Sequence, residues 1–409
     1  MAGGKGTRIS SIANDIPKPM IPICGKPVLE HEILCLKEQG LTDFIITVSH
    51  LGQVIIDYFG DGKKLGVSIE YYFEEVPLGN AGALFKIKDK LKEDFLLINA
   101  DSLFDIDVNR LIKYHKEKGG LVTLFTHPNS HPYDSGFIVT DEHNSVIKWL
   151  TKEDVRPKWY KNRVNAGIHI ISPKILDIKI DCDKVDLDRQ LLKPLAGSGK
   201  MFAYDSPEYV RDMGTPERYF AVSNDFEKGI VHDRNLLNKQ KAIFLDRDGT
   251  INKYVGFLTN IDDLELLDGA AEAIRKINQS PYLAVVVTNQ PVIARGEVTF
   301  EQLDEIHNKL ETLLGEKGAY LDAIYFCPHH PHKGYEGEIP ELKINCDCRK
   351  PKPGMLIKAS KELNIDLSES WMIGDGEIDV EAGKNAGCKT IMLDKDVSLL
   401  DAINSILGK

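Results

Sequence analysis

Short apolar runs alternate with longer amphipathic stretches along the whole chain. IITV (45–48), FLLIN (95–99), GLVTLF (120–125) and GIHII (167–171) have the length and residue types of strands. So do KAIFL (241–245), YLAVVV (282–287), AIYF (323–326) and WMIG (371–374). Between them, 268–279, 300–315 and 354–363 have the length and spacing of helices. Strands separated by helix-length segments predict α/β sheets, mostly parallel. The pattern restarts near 241, after a charged, helix-like stretch that ends in HDRNLLNKQ without a strand signal. This predicts domains 1–228 and 241–409 joined by a connector, 229–240. No internal repeat or low-complexity tract interrupts either half.

Composition narrows the classes of function. A chain of 409 residues with a net charge of -11 offers no general surface for nucleic acid or an anionic membrane, although a local basic site can still hold phosphates. No apolar run approaches a membrane span, and the longest charge-free stretch, 277–294, carries Asn, Gln and two prolines. The opening residues do not form a charged-then-apolar leader, so the expectation is a cytoplasmic protein. Seven cysteines are too few for a disulfide scaffold, yet three of them lie between 327 and 348, which points to metal.

The candidate chemistry of the second half starts at Phe244-Leu245-Asp246-Arg247-Asp248-Gly249-Thr250, where an apolar strand meets two aspartates one residue apart. A turn at Gly249 can bring both carboxylates to one pocket. One can then attack phosphorus while the other shuttles a proton to the leaving oxygen. A second strand ends in Thr288-Asn289-Gln290, which offers a hydroxyl and amides to a phosphate. A third ends in Gly374-Asp375, with Asp379 four residues on, and Cys348-Arg349-Lys350-Pro351-Lys352 supplies cations between them. All of these sit at carboxyl ends of strands or in adjacent loops, where open α/β sheets place ligands.

These four motifs resemble the haloacid dehalogenase-like phosphohydrolases. The resemblance implies that Asp246 is the nucleophile and forms an aspartyl-phosphate, that Asp248 is the general acid/base, and that Thr288 and Lys350 hold the phosphoryl group. It implies Mg²⁺ at Asp246, Asp248 and Asp375. Asn289, Gln290, Arg295 and Arg349 are candidates for contact with the substrate. Only 39 residues separate Asp248 from Thr288, and 61 separate Thr288 from Lys350, so neither gap holds a large cap. Cys327, His329, Cys346 and Cys348, spaced C-x-H-x₁₆-C-x-C, form a closed set of soft ligands of the kind that holds structural Zn²⁺, with His330 and His332 as spare imidazoles. CPHHP, CDCRKPKPGM and FLDRDGTIN together resemble the D-glycero-D-manno-heptose-1,7-bisphosphate 7-phosphatases, and the histidinol-phosphatase relatives share the zinc pattern. Pro291-Val292 after the second motif and Gly376 after Asp375 depart from the relatives' usual residues.

The first half opens on Gly3-Gly4-Lys5-Gly6-Thr7-Arg8, whose backbone can approach a triphosphate, and Lys18-Pro19-Met20 adds a cation. It is not a P-loop, because no GK[ST] follows. Asp101 follows the strand near 95–98, and Asp212 precedes a helix start. With LGNAGAL (78–84), NAGI (165–168) and DMGTPE (212–217), the set resembles the sugar-1-phosphate nucleotidyltransferases over about 1–225. The resemblance implies a GT-A-like fold and contacts to the nucleotide from Gly3, Gly4, Gly6 and Thr7. Arg8 and Lys18 would steady the leaving phosphates, and Asp101 and Asp212 would hold Mg²⁺. Asn80, Gly82 and Asn165 would touch base or sugar. Lys152 falls where relatives carry a Glu-Lys pair, although Thr151 replaces the Glu.

The fold class expected is therefore α/β, with two Rossmann-like three-layer domains: a nucleotidyltransferase, then a capless phosphatase with a zinc loop. One half would make a heptose 1-phosphate and the other would consume it. The partners expected are small-molecule sugar phosphates and a nucleoside triphosphate, GTP first, with ATP and others open. Two alternatives are a histidinol-phosphate type of phosphatase, and a phosphatase regulated by a non-catalytic first half that senses sugar nucleotides. Only Met1-Ala2 precede the Gly-rich loop, so a strand of about eight residues is expected to be missing from the start.

Overall fold

A computed structural model of the chain describes residues 16–49, 51–100, 102–132, 135–151, 153–178 and 184–408. The Gly-rich loop, Arg8, Asp101, Lys152 and the question of a missing first strand fall outside the described residues. The chain forms two compact units, one of residues 1–127, 138–149 and 165–235, the other of 128–137, 150–164 and 236–409. The division at 235/236 falls within the connector expected at 229–240. No helix among the described residues is long and apolar enough to cross a membrane.

All eight apolar runs named above contain a strand. In the first unit Met201–Asp205 runs parallel to Val122–His127, and Asp43–Val48 runs parallel to Ser68–Phe73. Other pairs run the opposite way. Val164–Ile171 is antiparallel to Phe95–Ile98, with Ile168 opposite Ile98, and Tyr209–Asp212 is antiparallel to Ser102–Asp105. The first unit is thus mixed rather than mostly parallel, because periodicity reports which faces are buried and not the direction of a strand. Val122, Leu124, Ile171, Leu187, Leu191 and Met201 are wholly buried in its core.

The second unit has a five-stranded, all-parallel sheet in the order Ala323–Cys327, Tyr282–Asn289, Lys241–Leu245, Trp371–Gly374 and Lys389–Met392. Both faces are covered, so the central strands are apolar along 242–245 and 283–287 without alternation. Ile243, Leu245, Ala284 and Val286 face one cluster with Ile274, Ile277, Leu310 and Leu314. Ala242, Phe244, Leu283, Val285 and Val287 face another with Met355, Leu356 and Ala359. The helices Ala270–Asn278, Phe300–Gly315 and Gly354–Glu362 supply these partners. Phe300–Gly315 starts in a capping box, where Thr299 accepts from the Gln302 N–H and Gln302 accepts from the Thr299 N–H.

Two stretches that the sequence places in the first domain, 128–137 and 150–164, group with this second unit. The reason lies in buried polar groups. The Asn162 N–H donates to Glu311 at 2.6 Å, and the Arg163 guanidinium lies 3.4 Å from the same carboxylate. Tyr160 and Thr312 exchange two hydrogen bonds. A carboxylate on the buried face of a helix needs such partners, and Asn162 and Arg163 supply them.

Candidate active sites

In the second unit the strand ends converge as the parallel register requires: Leu245 lies opposite both Val286 and Ile373. Asp246 therefore emerges beside Thr288 on one neighbouring strand and Asp375 after the other. Gly249, at φ 83°, makes the turn, and a Cβ there would lie 2.1 Å from the Asp375 carboxylate, so no other residue fits.

Lys350 is the centre of the charge arrangement. Its ammonium is buried, 2.7 Å from Asp246 Oδ1 and 2.6 Å from Asp379 Oδ1. Asp246, Asp375 and Asp379 each offer an oxygen, and these oxygens lie within 4.8 Å of one another. Burial, then Asp379, pushes the Asp246 carboxyl above its usual range against the pull of Lys350. Burial, then Asp246, does the same to Asp375. Three carboxylates facing one ammonium leave net negative charge, which a hard cation would relieve, and carboxylate oxygens suit Mg²⁺. The carboxylate of Asp248, expected with this group, is engaged by other donors, and Asp379 lies with Asp246 and Asp375 instead.

Asp248 accepts from Arg247 Nη2 at 2.7 Å, Asn252 Nδ2 at 2.9 Å and Gln290 Nε2 at 2.9 Å. These donors hold its carboxyl below the ordinary range although burial works the other way. Thr288 is buried, and its hydroxyl accepts from Gln290 Nε2. Asn289 and Gln290, expected to touch substrate, are engaged within the protein. Asn289 donates to the Lys350 carbonyl at 3.1 Å and accepts from the Lys350 N–H at 3.0 Å. Arg295 stacks between Phe257 and Tyr335, 3.8 and 4.5 Å from the ring centroids. Arg349 donates to the His329 carbonyl.

Cys327, at the end of the edge strand, meets His329, Cys346 and Cys348. The three sulfurs are 3.2 to 3.5 Å apart, and His329 Nδ1 lies 3.3 Å from Cys348 Sγ. Tetrahedral zinc with Zn–S bonds of ~2.3 Å requires S–S edges of ~3.8 Å, so the four ligand atoms need only spread slightly to accept it. Hydrogen bonds from the other thiols and His329 draw the Cys348 thiol down to about 5, while Cys327 is pushed up by Cys348 and by burial. Cys348 is two residues from Lys350, so the cluster anchors the loop that delivers the ammonium.

The first unit places Lys18 in a single turn of 3-10 helix, Lys18–Met20, and buries Gly82 at the start of helix Gly82–Lys86. Asn80 accepts from the Leu187 N–H at 2.7 Å. Asn165 accepts from the Gly167 N–H and from His169 Nε2, at 3.2 and 2.9 Å. Asp212 ends its strand opposite Ser102, and Arg218 Nη1 donates to both of its oxygens at 2.9 Å. The hydroxyl of Thr215 caps helix Pro216–Glu227 by accepting from the Arg218 N–H, which places Arg218 beside the strand end.

Asp379, Arg247, Arg218 and His169 were not singled out as site residues from the sequence. Only Asp379 had a signal available, its place four residues after Asp375, which becomes the third position of helix Glu377–Ala386.

Residues 1–229 match the family model described as nucleotidyl transferase, and residues 347–405 match the one described as HAD-hydrolase-like. Over 156 residues the chain is 47% identical to D-glycero-beta-D-manno-heptose-1,7-bisphosphate 7-phosphatase of Pasteurella multocida, covering 38% of this chain and 82% of that protein. Over 234 residues it is 33% identical to mannose-1-phosphate guanylyltransferase of Mycobacterium tuberculosis, covering 56% of this chain and 64% of that one. Among solved structures, D,D-heptose 1.7-bisphosphate phosphatase from B. bronchiseptica complexed with magnesium and phosphate aligns at 30% identity with a TM-score of 0.36, covering 41% of this chain and 99% of that chain.

Proposed function

The chain belongs to the nucleotidyl transferase family through residues 1–229 and to the heptose-bisphosphate phosphatase family through its phosphatase half, and we propose that it is a bifunctional enzyme of nucleotide-activated heptose synthesis. The second unit removes the 7-phosphate of D-glycero-D-manno-heptose 1,7-bisphosphate. The first then transfers a nucleotidyl group to the resulting heptose 1-phosphate and releases pyrophosphate. The observation that carries the phosphatase reading is Lys350, buried between Asp246 and Asp379 at the mouth of the parallel sheet.

In the phosphatase reaction an Asp246 oxygen attacks phosphorus, the bond from phosphorus to the sugar oxygen breaks, and Asp248 gives that oxygen a proton, which it must first take up against the donors that favour its ionised form. Asp248 then takes a proton from the water that attacks the aspartyl-phosphate, which releases inorganic phosphate and restores Asp246. Lys350 and Thr288 hold the phosphoryl oxygens. Asp246, Asp375 and Asp379 are the side chains placed to hold Mg²⁺. When bound, the ion screens the attacking carboxylate from the phosphate dianion. Zinc held by Cys327, His329, Cys346 and Cys348 would be structural, since the four ligands leave no open position.

In the transferase reaction an oxygen of the sugar 1-phosphate attacks the α-phosphorus of the triphosphate. Lys18 and Arg8 would steady the departing pyrophosphate, Asp101 and Asp212 would hold Mg²⁺, and Asn165 would orient the sugar nucleotide. GTP is the triphosphate we favour, supported by the 33% identity to a guanylyltransferase. A cytoplasmic location follows from that substrate.

The test is product analysis after offering heptose 1,7-bisphosphate with each nucleoside triphosphate in turn. A GDP-heptose with one phosphate and one pyrophosphate released is expected. Asp246→Asn should abolish phosphate release yet leave pyrophosphate release from heptose 1-phosphate intact. Loss of both with the fold intact would overturn the two-site reading.

A further inference from the structure

Arg247 lies between the two aspartates of the phosphatase motif and is wholly buried, so each of its N–H groups needs an acceptor. Nη2 donates to both Asp248 oxygens, at 2.7 and 3.0 Å, and Nε donates to Oδ1 at 3.1 Å. The remaining nitrogen, Nη1, lies 3.2 Å from His307 Nε2. A guanidinium only donates, so Nε2 is the acceptor and the imidazole carries its single proton on Nδ1. Burial, and next the charge of Arg247, keep His307 neutral. Its ring also lies against Phe326, at 5.7 Å between centroids, and helix Phe300–Gly315 carries it.

We propose that His307 is a positioning residue for the phosphatase reaction: by accepting from Arg247 Nη1 it fixes the rotation of the guanidinium that aims the Asp248 carboxylate. The inference rests on the phosphatase reading above. Arg247 grips Asp248 through its Nε and Nη2 edge, and a bidentate pair of this kind fixes the carboxylate's direction relative to the guanidinium plane. If Nη1 loses its acceptor, a buried donor of a charged group is left empty, and the guanidinium turns to find another. Asp248 then moves with it. Asn252 and Gln290 keep the carboxylate nearby, so the expected loss is partial and falls on turnover rather than on binding. The buried histidine thereby acts on the reacting atoms through one intermediary.

The experiment is a double-mutant cycle on the full-length protein with Mg²⁺, following phosphate release from heptose 1,7-bisphosphate. His307→Met removes the acceptor at similar volume and should lower kcat about tenfold with KM within about twofold. His307→Gln keeps an acceptor oxygen and should retain kcat within about threefold. In an Arg247→Met background, His307→Met should cost nothing further, since the histidine acts only through the arginine. If His307→Met does not fold, the same comparison is made with His307→Leu. Equal losses for the Gln and Met variants, full additivity in the cycle, or a KM effect without a kcat effect would each overturn the assignment. A wild-type chain that releases no phosphate would instead overturn the phosphatase reading itself.

Discussion

Asn289→Ala tests whether the amide next to Thr288 meets substrate or holds the lysine loop. Both its polar atoms are spent on the Lys350 backbone, at 3.1 and 3.0 Å. Lys350 in turn spans Asp246 and Asp379 at 2.7 and 2.6 Å. Each hydrogen bond is worth ~0.5–1.5 kcal/mol net, so losing the pair costs about 1–3 kcal/mol of second-unit stability. For a unit of this size that is a fall of about 2–12 °C in melting temperature. The larger effect is kinetic: a displacement of the ammonium by ~1 Å costs up to ~100-fold in rate. Phosphate release measured against substrate concentration should show kcat down ten- to a hundred-fold with KM within about threefold. Asn289→Asp keeps the acceptor for the Lys350 N–H but turns a carboxylate oxygen to its carbonyl, and should fall between. An unchanged kcat with a raised KM, and no change in melting temperature, would refute the reasoning and return Asn289 to direct contact with substrate.

Lys350→Met should end phosphate release and lower the stability of the metal-free second unit by ~3–5 kcal/mol, because it leaves two buried carboxylates without their partner. Chemical unfolding in chelator checks this, and a wild-type midpoint would refute it. One zinc per chain is expected by elemental analysis. Cys348→Ser should reduce that content and lower phosphatase turnover even in excess Mg²⁺, whereas full activity with no zinc would remove the metal from the account. His169 is buried, and burial lowers its pKa from 6.5 to about 3. Its folded pKa lies below its unfolded one, so the unfolded chain takes up the proton first as pH falls. The stability held by the neutral ring is present above about pH 6.5 and is lost at ~1.4 kcal/mol per unit below it. His169→Gln should therefore give the first unit a shallower loss between pH 6 and 4, and parallel slopes for the two proteins would refute this.

The strands of the second unit were legible because both faces of the sheet are covered. A run such as 282–287 has no polar alternate positions to confuse it. The acids, hydroxyl and cation at the strand ends were legible for a related reason: Asp246, Thr288 and Asp375 each follow directly on an apolar run, so their place along the chain states their place in the fold. The zinc candidates carry their own signal in their spacing. The direction of the first unit's strands left no such trace. Val164–Ile171 has the same apolar content whether its neighbour Phe95–Ile98 runs with it or against it.

What stayed hidden is a set of charged and polar side chains whose partners lie far along the chain. Arg247 stood in the sequence as the interchangeable middle of D-x-D, because an arginine beside a turn is ordinarily solvated. The fold buries it completely, and its outer nitrogen is met by a histidine sixty residues on. Glu311 likewise has the spacing of a solvated helix residue, yet Asn162 and Arg163 meet it from 150 residues earlier. Asn289 has the chemistry of a ligand contact, and Lys350 uses all of it. In each case residue type indicated which interactions were possible, and only the register of distant segments decided which were made. Burying a charge costs several kcal/mol unless a partner is in place. That cost confines Arg247, Lys350 and Glu311 to the few positions where distant segments bring counter-charges. Two of these three touch the acids of the phosphatase motif, and the third sits on the helix that carries His307.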